Sequence, residues 1–278
     1  MKVVEIILGE KTSEETLRKS YDYVQQIGYM PIVVNDSRSF FTSRVFSTYL
    51  DEGQQLLLDG MSPVAIERAA WIAGMPVGPL AVHDEVSLVL SKKVYETHIA
   101  LDERLGIENG FPTDIRGSRD VAFKLVEMNR GGRHYGGGFY DYHDDGSKQL
   151  WSGLSQLQQK SGVHVSSSTS GSVVRGSVVS RSVVSMEDAI DRLLYRQSIE
   201  TLRCLDEGVL RTEVEANLGG IFAIGFPSHT GGALQFIRGA GIDKFAARAS
   251  ELASTWGDRF SVSESAMDKL KSSAPVAA

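Results

Sequence analysis

The sequence predicts a mainly α-helical protein built from two repeated helical domains, preceded by a short β-α-β unit. Three observations support this fold class. Strand and helix patterns alternate over residues 1–35, the pattern is helical from Phe40 onwards, and one helical segment occurs twice. The predicted boundaries are 1–36 for the β-α-β unit, 37–150 for the first helical domain, 151–185 for a linker and 186–278 for the second helical domain.

The first 35 residues have the pattern of a parallel-sheet unit. The apolar runs at residues 3–8 and 31–34 are typical of short buried strands, and Thr12-Ser-Glu-Glu15 between them resembles a capping box. The order strand, helix, strand predicts parallel pairing. Because two strands alone do not make a stable parallel sheet, we expect this unit to be the end of a larger α/β domain that is missing from the chain.

Helix signals dominate the rest of the sequence. Ser62 and Pro63 have the residue types of an N-cap and a first helical position, and Ser185 is expected to cap the first helix of the second helical domain. The pattern predicts helices over residues 42–59, 63–74, 79–101 and 118–128. Residues 161–185 contain ten Ser and three Ser-Val-Val triplets, a composition that predicts a flexible linker.

Residues 44–60 and 192–208 share one pattern. In each segment an Arg is followed by Glu eight residues later and by Gly sixteen residues later. A Gly-x-Pro sequence then follows each copy, at residues 74–76 and 225–227. The repeat predicts two similar helical domains that pack against each other as two subunits of a dimer do. Two unrelated amphipathic helices are the alternative.

Composition excludes several classes of protein. With 278 residues, 42% hydrophobic and 23% charged, the chain has the composition of a globular protein of about two domains. A net charge of −6 argues against nucleic-acid binding, and no apolar run reaches the length of a membrane span. A single Cys and the lack of a signal-peptide pattern predict a cytoplasmic protein.

Metal and nucleotide sites are not predicted. The six His show no metal-ligand spacing, and the glycine-rich segment 130–138 lacks the endings of known phosphate-binding loops. Glu5, in the middle of an apolar strand, is the exception among the charged residues because a lone buried carboxylate is costly. It either protects an edge strand from aggregation or orients a catalytic imidazole.

Seven segments of the sequence form a combination that points to one family: residues 3–16, 28–36, 40–44, 131–133, 137–142, 203–208 and 225–232. Together they resemble the 3-hydroxyacyl-CoA dehydrogenases of fatty-acid β-oxidation. The second helical domain resembles that of the large multifunctional α subunits, in which two helical domains pack as an internal pseudo-dimer. The implied fold is two 6-phosphogluconate-dehydrogenase-like C-terminal helical domains that follow the end of a Rossmann domain.

The resemblance also implies site residues and a cofactor. Glu5 matches the Glu that holds the catalytic His, whereas that His and the NAD-binding fingerprint lie N-terminal to this sequence. NAD would therefore bind through a Rossmann domain that is missing from the chain, and the chain alone would be inactive. Ser43 stands where the family often has an Asn that contacts the substrate, and Phe222 where some relatives have a substrate-contacting Tyr. Ser39 stands where Gly or Ala is usual.

The function implied is that of the C-terminal part of an NAD-dependent enzyme that oxidises 3-hydroxyacyl-CoA to 3-ketoacyl-CoA. Its expected partners are the acyl-CoA substrate and a thiolase subunit. The alternative is a helical interaction module that scaffolds thiolase without catalysis. Activity restored by a separate Rossmann domain would distinguish the first interpretation from the second.

Overall fold

The computed structural model describes residues 2–107, 116–157 and 184–273, which are mainly helical. The predicted linker falls largely on residues 158–183, outside the described residues. The strands are β1 (Val3–Leu8), β2 (Met30–Asn35), β3 (Tyr140–Tyr142) and β4 (Lys148–Leu150). The helices are α1 (Glu14–Gln26), α2 (Phe41–Leu58), α3 (Pro63–Ala73), α4 (Pro79–Val86), α5 (Leu88–Leu105), α6 (Arg116–Glu127), α7 (Met186–Asp206), α8 (Glu213–Ile224), α9 (Ala233–Ala240), α10 (Ile242–Trp256) and α11 (Glu264–Ser272).

The predicted β-α-β unit is confirmed. β1 and β2 pair in parallel, and the Ser13 side chain caps α1 by accepting a hydrogen bond from the backbone N–H of Thr16. The second edge of β2 lies against the C-terminal half of the chain, where the backbone N–H of Val33 donates to the Glu215 carboxylate at 2.8 Å. Ile32 of β2 is fully buried in the same core as α7 to α11. The unit therefore packs on the predicted second helical domain.

The cap residues read from the sequence are found at helix ends. The Ser62 side chain accepts from the backbone N–H of Ala65 at the start of α3, with Pro63 at the first helical position. The Ser185 side chain does the same for α7, accepting from Asp188. Gly74 ends α3 in the left-handed conformation, as the Gly-x-Pro pattern favours.

The single helix predicted over residues 79–101 is wrong, because α4 ends before Ser87 and α5 begins after it. Ser87 has φ of +90°, which no residue in a helix adopts. The glycine-rich segment lies against this break, and the backbone N–H of Leu88 donates to the Gly131 carbonyl instead of continuing the helix. A Cβ on Gly132 would lie 2.7 Å from the Asp84 carbonyl oxygen, so only Gly permits this approach.

The glycine-rich segment ends in a small hairpin of β3 and β4 that is attached to Asp84. Both oxygens of this buried carboxylate accept from the hairpin, from the backbone N–H groups of Phe139 and Tyr140. Burial raises the pKa of Asp84 to about 6, although these hydrogen bonds favour its charged form. A side chain at Gly138 would overlap the Asp84 carboxylate, which explains the glycine there. Beyond the hairpin, Leu154 is buried among apolar side chains of α2, α3 and α6.

The two copies of the repeated segment pack against each other and exchange ion pairs. Nε of Arg44 lies 2.8 Å from the Glu200 carboxylate, and Nε of Arg192 lies 2.6 Å from the Glu52 carboxylate. Glu52 belongs to the first copy and Glu200 to the second, at equivalent positions. The Arg of each copy therefore binds the Glu of the other copy. All four side chains are buried or nearly so.

The two Gly-x-Pro corners are exchanged in the same way. A Cβ built on Gly225 would lie 2.8 Å from Cγ of Pro76, and one built on Gly74 would lie 3.2 Å from Cβ of Pro227. Each glycine therefore packs against the proline of the other corner. Without a side chain at Gly74 and Gly225, the two corners approach closely.

Candidate active site

Glu5 is bound to the start of α2. One carboxylate oxygen accepts from the backbone N–H groups of Phe41 at 2.8 Å and Thr42 at 3.3 Å, and the other accepts from the Thr42 hydroxyl at 2.5 Å. The first N–H groups of a helix lack partners within the helix, and the helix dipole favours negative charge there. Phe40, the residue before α2, offers no side-chain cap. The strand residue Glu5 therefore caps this helix across the fold.

A cavity of about 540 Å³ opens beside the start of α2. It is lined by Ser39, Phe40, Ser43, Phe46, Ser47, Leu50, Val86, Leu90, Ser91, Lys93, Val94, Tyr95, Thr97 and His98. Most of its wall is apolar, as in sites that hold small ligands. Ser43 lines the cavity and directly follows Thr42, which binds Glu5. The structure thus brings together Glu5 and Ser43, two of the residues singled out in the sequence.

Phe222 lies elsewhere. It is on α8, 54% of its surface is exposed, and it is not among the residues that line this cavity. One turn earlier on α8, Gly219 packs against Phe41 and Ile32. Contact between Phe222 and a substrate stays a prediction.

The contact between Ser39 and His98 in the cavity wall was not predicted from the sequence. The Ser39 hydroxyl lies 3.0 Å from Nε2 of the buried His98, and Arg38 donates to the His98 carbonyl at 2.6 Å while pairing with Asp102. Burial lowers the pKa of His98, and the neighbouring Arg38 lowers it further. His98 had no signal of its own in the sequence because its partners lie about sixty positions away. The unusual residue at Ser39 was the only available indication.

Ser39 has φ of +73°, a conformation that favours glycine. We expect Ser39→Gly to be more stable than Ser39→Ala by about 1 kcal/mol, because both remove the hydroxyl but only Gly relieves the strain. Urea denaturation of the two variants measures this difference. Equal stability of the two variants would contradict it.

Metal-ligand groups and long apolar helices are absent from the part of the chain that the structure describes. Over residues 2–107, 116–157 and 184–273, His, Cys, Asp and Glu side chains form no group of three that could hold a metal ion. Within the same ranges no helix is both long and apolar enough to cross a membrane. Burial raises the pKa of the Cys204 thiol, which therefore stays protonated.

Comparison with known proteins gives matches along the chain. Residues 1–37 match the family model of the 3-hydroxyacyl-CoA dehydrogenase NAD-binding domain, and residues 40–142 match that of the C-terminal domain. The fatty acid oxidation complex subunit alpha of Pseudomonas syringae pv. tomato is 33% identical over 91% of this chain, and that of Pseudomonas entomophila is 32% identical over 91%. The chain spans about a third of the length of these curated relatives, 32% and 33% respectively.

Solved structures share the fold. The 3-hydroxybutyryl-CoA dehydrogenase of Escherichia coli aligns with 98% of this chain and 68% of its own, with a TM-score of 0.67 and 15% identity. The dehydrogenase part of multifunctional enzyme 1 from C. elegans aligns with 97% of this chain and 56% of its own, with a TM-score of 0.61 and 22% identity. With both family models matched in order along the sequence, the chain belongs to the 3-hydroxyacyl-CoA dehydrogenase family.

Proposed function

We propose that these residues are the C-terminal part of an NAD-dependent dehydrogenase that oxidises 3-hydroxyacyl-CoA to 3-ketoacyl-CoA in fatty-acid oxidation. They would form the wall of the cleft on the side of the acyl chain. The observation that supports this most directly is the Glu5 carboxylate, bound to the start of α2 beside a largely apolar cavity that Ser43 lines. The family match and the names of the relatives point to the same reaction.

Glu5 is suited to position a catalytic imidazole. A carboxylate has about four acceptor sites, and α2 occupies three of them through Phe41 and Thr42. One site remains for a ring N–H of a His that takes the proton from the 3-hydroxyl group. The three bonds to α2 fix the carboxylate, so a His bound to it would be fixed as well. Glu5 is thus proposed as the residue that orients the catalytic base.

NAD would accept the hydride, but the residues present here do not build its site. The sequence has no Gly-x-Gly-x-x-Gly turn between β1 and α1, the signature that lets a backbone approach a dinucleotide pyrophosphate. We therefore assign no NAD contact to this chain. Its β-α-β unit would instead be part of a larger dinucleotide-binding domain, in line with the family match of residues 1–37.

The substrate contacts proposed from the sequence differ in support. Ser43 lies in the cavity wall, where its hydroxyl can donate to a substrate oxygen, although it reaches less far than Asn. Apolar neighbours such as Phe46 and Leu50 suit the methylene groups of an acyl chain. Phe222 is exposed on α8 and would contact the substrate only beyond this cavity.

We also propose that α2 and α7 belong to two related helical domains that pack as an internal pseudo-dimer. In a two-fold interface each contact occurs twice: residue i of the first half contacts residue j of the second, and residue j of the first half contacts residue i of the second. The pairs Arg44–Glu200 and Arg192–Glu52 follow this rule, and so do the two Gly-x-Pro corners. The exchanged contacts support two copies of one unit more than two unrelated helices.

The proposed function is tested by supplying the NAD-binding domain. We expect the 278-residue chain alone to form no NADH from 3-hydroxybutyryl-CoA and NAD. A fusion that places before Met1 the segment of the Pseudomonas syringae relative that directly precedes its region aligned with this chain should form NADH, because this segment would complete the NAD-binding domain and supply the catalytic His. The absorbance of NADH measures the reaction of the chain alone and that of the fusion. NADH formation by the chain alone, or an inactive but folded fusion, would contradict the proposal.

A scaffolding role is the second candidate. It is favoured by the exposed apolar side chains of α3, where Val64 and Trp71 are 68% and 63% exposed. The relatives are named as subunits of a complex. If this role is correct, the chain should co-elute with a thiolase from such a complex in size-exclusion chromatography, and Trp71→Ser should abolish co-elution. Failure of the wild-type chain to co-elute with thiolase would exclude the scaffolding role.

The cytoplasmic location expected from the sequence remains a prediction.

A further inference from the structure

The proposed acyl cavity contains hydroxyl groups that the protein leaves without acceptors. We propose that this cavity selects acyl thioesters whose chain ends in a carboxylate. The inference rests on the proposed function and narrows its substrate class.

Two of the hydroxyls lie on one face of α2. Ser43 and Ser47 are four residues apart, slightly more than one helical turn and about 6 Å along the axis, and both line the cavity. Within the part of the chain that the structure describes, neither hydroxyl has a hydrogen-bond partner. Ser43 lies near Glu5, whereas Ser47 lies one turn farther along the cavity. A ligand that reacts beside Glu5 therefore brings the far part of its acyl chain towards Ser47.

The third hydroxyl, on Ser91, is held by a buried histidine. Nε2 of His83 lies 2.8 Å from Oγ of Ser91, and Nδ1 of His83 is buried without a partner among the described residues. Burial lowers the pKa of His83 to about 3, so its ring is neutral.

The position of the proton on His83 follows from the cost of burial. An unpaired N–H group is rarer in protein interiors than an unpaired acceptor, so the proton is assigned to Nε2. His83 then donates to Ser91, and the Ser91 hydroxyl proton is free to donate into the cavity.

The charges of the cavity wall favour an anion. Among the described residues that line it, Lys93 is the one Lys, Arg, Asp or Glu. Its neighbour Lys92 points to a different partner, Glu96, at 3.7 Å. A carboxylate accepts hydrogen bonds only, at about four sites, and thus matches the hydroxyl donors of Ser47 and Ser91 and the ammonium group of Lys93, while Ser43 stays beside the reacting end of the ligand. A plain alkyl chain would remove water from these donors without replacing it, and sites built for hydrogen bonds reject such ligands.

The test compares two six-carbon ligands on the 278-residue chain by saturation-transfer NMR. Adipoyl-pantetheine carries a terminal carboxylate and hexanoyl-pantetheine does not, and neither has the phosphates of coenzyme A. We expect adipoyl-pantetheine to bind about 10-fold tighter. Lys93→Met and Ser47→Ala should each reduce this preference several-fold, because each removes one donor to the carboxylate. The matched control Lys92→Met should leave the preference unchanged.

Each outcome has a defined meaning. Equal or tighter binding of hexanoyl-pantetheine would overturn the carboxylate preference while leaving the acyl-wall function intact. Binding of neither ligand would overturn both. Adipoyl-coenzyme A and hexanoyl-coenzyme A are measured in the same way. If Lys93→Met weakens the binding of these two ligands but not that of the pantetheine thioesters, Lys93 contacts a phosphate and the carboxylate assignment is wrong. If Lys92→Met reduces the preference for adipoyl-pantetheine as much as Lys93→Met does, the preference depends on the overall positive charge. The assignment of Lys93 to the carboxylate is then wrong as well.

Discussion

Replacement of Glu52 by Gln is expected to destabilise the protein by about 3–5 kcal/mol, the range found when one partner of a buried ion pair is removed. Glu52 is fully buried on α2, and its carboxylate accepts from Nε of Arg192 at 2.6 Å and from Nε of Arg259 at 2.8 Å. Nε of Arg196, also fully buried, lies 3.7 Å away. Without the carboxylate, these guanidinium groups stay in the interior with less compensating charge.

Urea denaturation at neutral pH measures the effect, and Glu251→Gln is the matched control. Glu251 also pairs with an Arg, at 3.1 Å from Arg248, but its side chain is 67% exposed. Exposed ion pairs contribute about 0–1 kcal/mol, so the control should change little. If the two variants lost similar amounts of unfolding free energy, burial would not be what makes the ion pairs of Glu52 with Arg192 and Arg259 strong.

The same cluster gives stability a defined pH dependence. Burial by itself would raise the pKa of Glu52, but Arg259 and Arg192 outweigh it and lower the pKa from 4.5 to about 2. Since the pKa is lower in the folded state than in the unfolded state, the unfolded chain takes up the proton first. The contribution of Glu52 is complete above about pH 4.5 and is lost as the pH falls towards about 2. The stability gap between wild type and Glu52→Gln should narrow over this window.

The second large effect is expected at Glu5. In the fusion that contains an NAD-binding domain, Glu5→Gln should lower kcat by about 100-fold, within the range that general acid–base catalysis contributes. Gln can still accept from the N–H groups of Phe41 and Thr42, so α2 should remain capped. A neutral amide cannot stabilise the imidazolium that forms when the catalytic His takes a proton.

Steady-state kinetics over a range of pH tests this role. Loss of the negative charge should lower the pKa of the His, so the acid limb of the kcat/KM profile should move to lower pH. Glu10→Gln, at an exposed position just after the same strand, is the control and should behave as wild type. Glu5 would have only a structural role if kcat fell while the pH profile stayed unshifted. The same would hold if the fall in kcat equalled the fraction of the variant that is unfolded.

Local patterns in the sequence predicted the strands and helices of the first 74 residues, and also α6. The strands at residues 3–8 and 30–35 pair in parallel as expected, and Ser62 and Ser185 cap the helices that they precede. These features depend on residues a few positions apart, such as a side-chain oxygen and the N–H three residues later. Short-range chemistry of this kind is visible in the sequence itself.

The candidate site was only partly visible. Glu5 stood out because a charge in an apolar strand needs an explanation, but its partners on α2 lie more than thirty residues away. His83 and His98 gave no signal, since their serine partners and their burial come from folding. Phe222 was selected by position in a family pattern, and the fold leaves its side chain exposed on α8.

By itself, the sequence determined the β-α-β unit, the helices α2, α3 and α6, the caps at Ser62 and Ser185 and the repeated segment, because each depends on neighbouring residues. Only the tertiary structure decided how the copies meet. The exchange of partners between Arg44 and Glu200 and between Arg192 and Glu52 spans about 150 positions. The break at Ser87 likewise depends on the backbone of Gly131, over forty residues away. Such contacts form when packing brings distant segments together, and local pattern carries no record of them.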